Sequence, residues 1–271
     1  MTFPDYNENR KYKIGFALSG GGIKGLCHAG VLKALEEYGI YPDIISGVSA
    51  GAIVGALYAD GYTPDEIAEM FQDISFRKMT SIHIPEGGLF RMNAFENFLG
   101  KTLRAKTFEE LKIPLRIVAT DLDKGTSKVF DNGKLLDPIL ASCSVPLLFR
   151  PRNIDQVNYV DGGVLKNFPV STIRYDCEQV IGINASPMVA DEYKLTLLNV
   201  ASRTYHFMFK ANILPDKEMC DVLIEPVDMG KYDTFDTDKA HEIYELGYST
   251  TKELLKSGIK SVKNVSDSLR F

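Results

Sequence analysis

The sequence predicts an α/β fold, a three-layer α/β/α sandwich around a mostly parallel central sheet. Three observations carry that expectation. Short apolar strands alternate with helical patterns, an order that places crossover helices on a parallel sheet. A glycine-rich loop, Gly20-Gly21-Gly22-Ile23-Lys24-Gly25, joins the first strand to the first helix. A second strand enters a helix through Gly47-Val48-Ser49-Ala50-Gly51, a tight turn with a serine at its tip. Parallel sheets place their ligands at the carboxyl ends of strands, where both turns fall.

The elements follow in order. Lys11 to Ser19 reads as a strand, with Ile14, Phe16 and Leu18 alternating. After the glycine loop, Leu26, Ala29, Gly30, Leu32, Lys33 and Leu35 trace a helix that stops before Gly39. Asp43 to Ser46 is the second strand and Ala52 to Tyr58 its helix. Thr63-Pro64-Asp65-Glu66 starts a further helix, with an N-cap, a first-position Pro and a capping-box Glu. Residues 75–92 lack periodicity yet carry Phe76, Met79, Ile82, Ile84, Leu89 and Phe90. They suit a lid or substrate wall, or a packed connection. Ile113 to Thr120 and Ser127 to Phe130 are strands, the latter followed by an Asp131-Asn132-Gly133 turn. Val157 to Val160 is a short strand ending in Asp161-Gly162-Gly163. Such a triplet is often a hairpin turn. No second strand follows it, and Pro169 reads as the first residue of a helix through Tyr175. Val180 to Asn184 and Val222 to Glu225 are the last strands. Leu195 to Leu214 is dense in apolar and aromatic residues. It suits a core helix, or else the wall of an apolar binding site, a membrane-facing surface or a dimer surface.

The 271 residues suit one large domain: a polar segment 1–13, a core 14–175, and a continuation of that domain over 176–271. A hydrophobic content of 45% supports a sizeable core. A net charge of −5 leaves no nucleic-acid footprint and no bulk attraction to anionic lipid. The four cysteines (Cys27, Cys143, Cys177 and Cys220) have no C-x-x-C spacing and read as reduced, buried thiols. Cys27, just after the glycine loop, is either mildly reactive or buried in its helix. Residues 1–13 do not resemble a signal peptide. The uncharged run Ile44 to Ala59 falls short of the roughly 20 residues that span a bilayer. A cytoplasmic protein is expected, at most peripheral at the inner membrane surface. No histidine pair has metal-ligand spacing, so no metal or cofactor is expected.

The turns carry the chemistry. A serine on a strand-to-helix turn has an exposed hydroxyl over a helix N-terminus, and Gly47 and Gly51 keep so tight a bend free of clashes. With 22 glycines in the chain, an ordinary small-residue turn is the other reading. In the glycine loop, bare backbone amides and the helix dipole favour a phosphate or a developing oxyanion. Gly20, Gly22 and Gly25 also fit the dinucleotide fingerprint, the basis for a nucleotide-binding oxidoreductase as an alternative. That reading expects an acid after the second strand, whereas Asp43 precedes it. Lys24 precedes Gly25, so the loop is not a P-loop. An oxyanion hole facing Ser49 explains the loop better. A cation there opposes the dipole, so Lys24 meets an anion, supports the loop or points to solvent.

With these motifs in sequence, the chain resembles the patatin-like phospholipase family. Its signatures occur in the right order: the Gly20–Gly25 loop, Gly47 to Gly51, and Asp161-Gly162-Gly163. Ala141-Ser142-Cys143-Ser144-Val145-Pro146 looks like the family's A-S-x-x-x-P segment, and His28-Ala29-Gly30-Val31-Leu32 like its first helix. The resemblance implies that Ser49 is a nucleophile, Asp161 its base and the Gly20–Gly25 loop the oxyanion hole. It also implies a lipid or carboxylic ester substrate and hydrolysis through an acyl-enzyme without histidine. Lys24 stands where many members have Arg, and Gly163 where they have Ala. A dyad of this kind is expected to stay active below pH 6, where a histidine base fades. The competing reading is an α/β-hydrolase triad, Ser49, Asp161 and His241. Against it, His241 falls in a helical pattern with Ile243, Tyr244 and Leu246. His206 reads as helical packing, His28 as a satisfied core or supporting group, and His83 as a loop residue.

Overall fold

The structure is a computed structural model that describes residues 10–73, 92–146, 148–187, 207, 209, 212–232 and 237–258. The expectations for residues 75–91, for His83 and His206, and for most of 195–214 lie outside these.

A parallel core of five strands forms the centre of the sheet. Strand β1 (Tyr12–Leu18) pairs with β2 (Ile44–Val48) on one side. On the other it pairs with β7 (Cys177–Ile183), which pairs in turn with β8 (Val222–Ile224). Beyond β2 lies β3 (Leu115–Asp121), also parallel. Every residue of β2 is buried, as befits a central strand covered on both faces. The remaining strands are antiparallel additions at the β3 side: β4 (Thr126–Phe130), β5 (Arg152–Ile154) and β6 (Val157–Asp161).

The register around β3 decides where the functional turns meet. Ile117 and Val118 pair with both β2 and β4, so those two strands occupy opposite edges of β3. Ala119 to Asp121 pair with both β4 and β6, so β6 lies on the same edge as β2. β2 and β6 therefore run end to end along one edge, pointing at each other. Val48 stops opposite Val118, and Asp161 stops opposite Ala119.

The pleat sorts side chains onto two faces. Phe16, Leu18, Ile45, Ile117, Ile181 and Ile183 point into the larger core. That face is covered by α1 (Leu26–Glu37), α2 (Ala50–Ala59), α3 (Pro64–Asp73), α4 (Asn93–Thr102), α5 (Leu136–Ser142) and α8 (Ala240–Lys256), where α6 (Gly163–Lys166) and α7 (Leu214–Lys217) are the two short helices between. Ala17, Ile44 and Val180 face the other way, onto Phe168, Val170, Ile173 and Ile213. Helices α1 and α8 touch at backbone level. A Cβ on Gly30 would sit 2.1 Å from the Tyr244 carbonyl oxygen, and one on Gly247 2.4 Å from that of Cys27.

The capping box of α3 forms: the Thr63 N–H donates to Glu66 Oε2 at 2.8 Å, and the Glu66 N–H to Thr63 Oγ1 at 3.2 Å. The stretch Pro169–Tyr175 departs from the expected helix. The helix comes earlier, as α6, and two 3-10 turns follow at Val170–Thr172 and Arg174–Asp176. Tertiary bonding overrides local propensity here. The Ser171 N–H donates to Asp216 Oδ1 at 2.5 Å, and the Thr172 hydroxyl meets that of Ser46 at 2.7 Å while donating to the Pro169 carbonyl. Among the described residues no helix is long and apolar enough to cross a membrane.

Candidate active site

Ser49 caps α2 in a conformation with φ 51° and ψ −120°. Positive φ is costly for a residue with a Cβ and marks stored strain. The surroundings fix it. The Ser49 carbonyl accepts the amides of Ala52 and Ile53, at 2.9 and 3.2 Å. Its own N–H donates to Ser142 Oγ at 2.7 Å. The two flanking glycines are needed for close approach. A Cβ on Gly47 would lie 2.4 Å from the Gly51 oxygen, and one on Gly51 would lie 2.3 Å from the Leu18 oxygen. The first turn of α2 is thus pressed against the end of β1.

Asp161 closes β6 and is 1% exposed. One carboxylate oxygen accepts the Gly163 N–H at 2.7 Å, and the Ser49 side chain lies against the carboxylate. Burial pushes its pKa up to about 7, against the Ser49 side chain and the Gly163 amide, which favour the ionised form. Its main chain is anchored too: the N–H donates to the Ser144 carbonyl at 2.9 Å, and the carbonyl accepts the Thr120 hydroxyl at 3.0 Å. Gly162 lets β6 end hard against β3, since a Cβ there would lie 2.2 Å from the Val118 oxygen and 2.7 Å from the Val48 side chain. Gly163 opens α6. A Cβ there would lie 2.2 Å from the Phe209 ring.

The glycine loop runs beside the serine. A Cβ on Gly20 would be 3.4 Å from Ser49 Cβ, and one on Gly25 2.6 Å from Ala50 Cβ. Gly22 has φ 60° and begins a 3-10 turn, Gly22–Gly25, with Lys24 in its last turn, leading into α1. The six loop residues are not equivalent as donors. The Gly20 N–H bonds the Asn167 carbonyl at 3.0 Å, and that of Lys24 the Gly21 carbonyl at 3.2 Å. The amides of Gly21, Gly22 and Ile23 have no acceptor among the described residues. The root of the loop is pinned three ways. His28 Nε2–H donates to the Ser19 carbonyl at 2.8 Å, the Ala185 N–H to the Ser19 hydroxyl at 2.9 Å, and the Ser186 hydroxyl to the Gly20 carbonyl at 2.9 Å.

The two described histidines, His28 and His241, take no part in this cluster beyond that anchor. His28 is fully buried and its pKa is pulled down to about 4 by burial, so the ring is neutral. Its Nδ1 has no partner among the described residues. His241 is exposed on α8, and among the described residues neither Ser49 nor Asp161 bonds a histidine. Cys27 is buried with its thiol pushed up to about 12, which removes it as a reactive thiol at neutral pH.

Sequence reasoning missed two contributors. Ser142 lies inside the Ala141–Pro146 segment, but nothing in that segment named the partner of its hydroxyl. Asn167 is 4% exposed, with its Oδ1 2.3 Å from the position of a Gly20 Cβ and 2.8 Å from that of a Gly163 Cβ. It fills the gap between the two glycine turns. Its position six residues after Asp161 was the available signal.

Comparison with known proteins agrees with this arrangement. Residues 16–173 match the profile of the patatin-like phospholipase family. The uncharacterized protein YqhO of Bacillus subtilis is 32% identical over 67% of this chain and 74% of its own length. Human patatin-like phospholipase domain-containing protein 6 is 27% identical over 88% of this chain, which spans only 20% of that protein. An uncharacterized NTE family protein of Mycobacterium tuberculosis is 32% identical over 66% of this chain and 48% of its own length. In fold, the chain is similar to VipD from Legionella pneumophila, with a TM-score of 0.54 and 16% identity over 93% of this chain and 68% of that one. On the family match, with the glycine loop, serine turn and acid turn gathered at one sheet edge, the chain belongs to the patatin-like phospholipase family.

Proposed function

We propose that this protein is a serine acyl hydrolase of lipid or carboxylic esters that works through a Ser49–Asp161 dyad. The observation that carries the reading is the placement of the Ser49 side chain against a buried carboxylate whose pKa is raised to about 7. An ordinary aspartate titrates near pH 4 and is a poor base for a hydroxyl. Burial brings Asp161 close to the range of imidazole, about 6.5.

The chemistry then follows. Ser49 Oγ attacks the ester carbonyl while Asp161 takes its proton. The oxyanion of the tetrahedral intermediate turns to the amides of Gly21, Gly22 and Ile23, with the positive end of the α1 dipole behind them. Collapse expels the alcohol, which receives the proton from Asp161, and leaves Ser49 acylated. Asp161 then deprotonates a water that attacks the acyl-enzyme. The carboxylic acid leaves and Ser49 regains its proton. Support comes from family membership and from the meeting of β2 and β6 on one edge, which points both side chains at one space.

Hydrolysis of short- and long-chain p-nitrophenyl esters tests the proposal. Ser49→Ala and Asp161→Asn are each expected to lose about 10³-fold or more in kcat/KM, and His241→Gln to stay within about twofold. Loss of activity in a folded His241→Gln variant would overturn the dyad in favour of a triad.

A further inference from the structure

We propose that Ser142 is a positioning residue whose hydroxyl splices the gap between β2 and β6 and holds Ser49 in its strained conformation. The proposal rests on the reading of Ser49 as the nucleophile.

The gap is a consequence of the register. β2 leaves β3 at the Val48–Val118 pair, and β6 joins it at the Ala119–Asp161 pair. A strand continuing past Val48 would keep donating its amides to β3. Instead the chain turns at Ser49, and its N–H leaves the ladder while still beside buried groups. Ser142 Oγ stands in that break. It accepts the Ser49 N–H at 2.7 Å and donates to the Val118 carbonyl at 2.6 Å. Only a group with one donor and free lone pairs can do both at a single atom, and a hydroxyl is the smallest side chain that qualifies. Ser142 is completely buried, so bulk solvent does not supply the same two bonds.

The same segment also holds the acid. Two residues further on, the Ser144 carbonyl accepts the Asp161 N–H at 2.9 Å. The end of α5 therefore grips the nucleophile through a side chain and the base through a main-chain oxygen. A serine at φ 51° keeps that conformation only while its surroundings over-determine it. Removing the Ser142 hydroxyl frees the Ser49 amide. The Ser49 Oγ then drifts from the Asp161 carboxylate and from the glycine-loop amides together, while the surface that receives substrate is unchanged.

Kinetics and amide exchange test this together. Ser142→Ala is expected to lower kcat about 10- to 100-fold with KM within about twofold, because misplacement of a reacting group acts on the chemical step. Ser142→Thr, which keeps the hydroxyl, is expected to recover most of the rate, and Ser142→Cys, with a weaker donor, to fall between. Thr251→Ala removes a buried hydroxyl bonded to Gly247 in α8. It should lose thermal stability without losing kcat. Hydrogen exchange at the Ser49 amide, followed by NMR, should be slow in the wild type and at least about tenfold faster in Ser142→Ala. A folded Ser142→Ala with kcat within about twofold of wild type, or with unchanged Ser49 exchange, overturns the proposal. If Ser142→Ala does not fold, equal rates for Ser142→Cys and Ser142→Thr overturn it, and a clear deficit in Ser142→Cys alone supports it. If the wild type neither hydrolyses esters nor reacts with a fluorophosphonate, the hydrolase reading fails separately, and Ser49 exchange still decides the role of Ser142.

Discussion

Asp161 owes its basicity to being buried, and that has two measurable consequences. In the proposed dyad its carboxyl must be ionised to accept the Ser49 proton, so kcat/KM should fall as pH drops below about 7. A pH–rate profile checks this, and it replaces the expectation of activity retained below pH 6, because an aspartate lifted this far titrates where a histidine would. Stability runs the other way. The folded state holds this proton more tightly than the unfolded chain, whose carboxyl titrates at 3.8. The contribution to stability is complete below pH 3.8 and is lost as pH rises through about 7. Above that, keeping the buried charge costs the fold on the order of 4 kcal/mol. Asp161→Asn should therefore melt several degrees higher than wild type at pH 8 and no higher at pH 4, while being inactive at both. At this scale the sequence was informative about Ser49, Asp161 and the glycine loop, since each sits in a turn whose residue types follow from backbone sterics. It did not reveal Ser142 or Asn167 as contributors, nor that the Gly20 amide is already bonded. Those facts depend on which distant group stands opposite, and no local pattern encodes that.

Among the elements, the strands other than β5 were legible to within three residues of their ends, because alternation and apolar runs follow directly from the pleat, whereas the three-residue β5 is too short to show either. The start of α3 was legible for the same kind of reason. Thr63→Ala removes the acceptor of the Glu66 amide and should cost about 1 kcal/mol with no change in kcat, as denaturant unfolding and ester hydrolysis would report. The Pro169–Tyr175 stretch was not legible, because a carboxylate from residue 216 diverts the Ser171 amide. Neither was the sharing of one β3 edge by β2 and β6, although that arrangement is what assembles the site. The elbow itself tolerates little. Gly51→Ala would drive a methyl into the carbonyls of Leu18 and Ser19. Backbone there cannot swing aside as a side chain can, so a loss of roughly 1–3 kcal/mol is expected, along with activity. A thermal melt paired with an esterase assay would measure both.

For the molecule as a whole, the mostly parallel sheet flanked by helices followed from the alternation of strands and helices, but which five strands make its parallel core did not. The contact between α1 and α8 did not either, because a glycine within a helical pattern, such as Gly30 or Gly247, does not say which distant backbone it meets. That contact joins the last described helix to the one that begins at the glycine loop. The meeting of β2 and β6 on one edge of β3 reaches further still, into how the chain acquires activity. Ser49 and Asp161 become neighbours only after three segments far apart in sequence have found a common register. Pairing of that kind is slow, because loop closure must precede its reward. Upon dilution from denaturant, helical signal should therefore return before catalysis does, and esterase activity should rise with the slowest refolding phase.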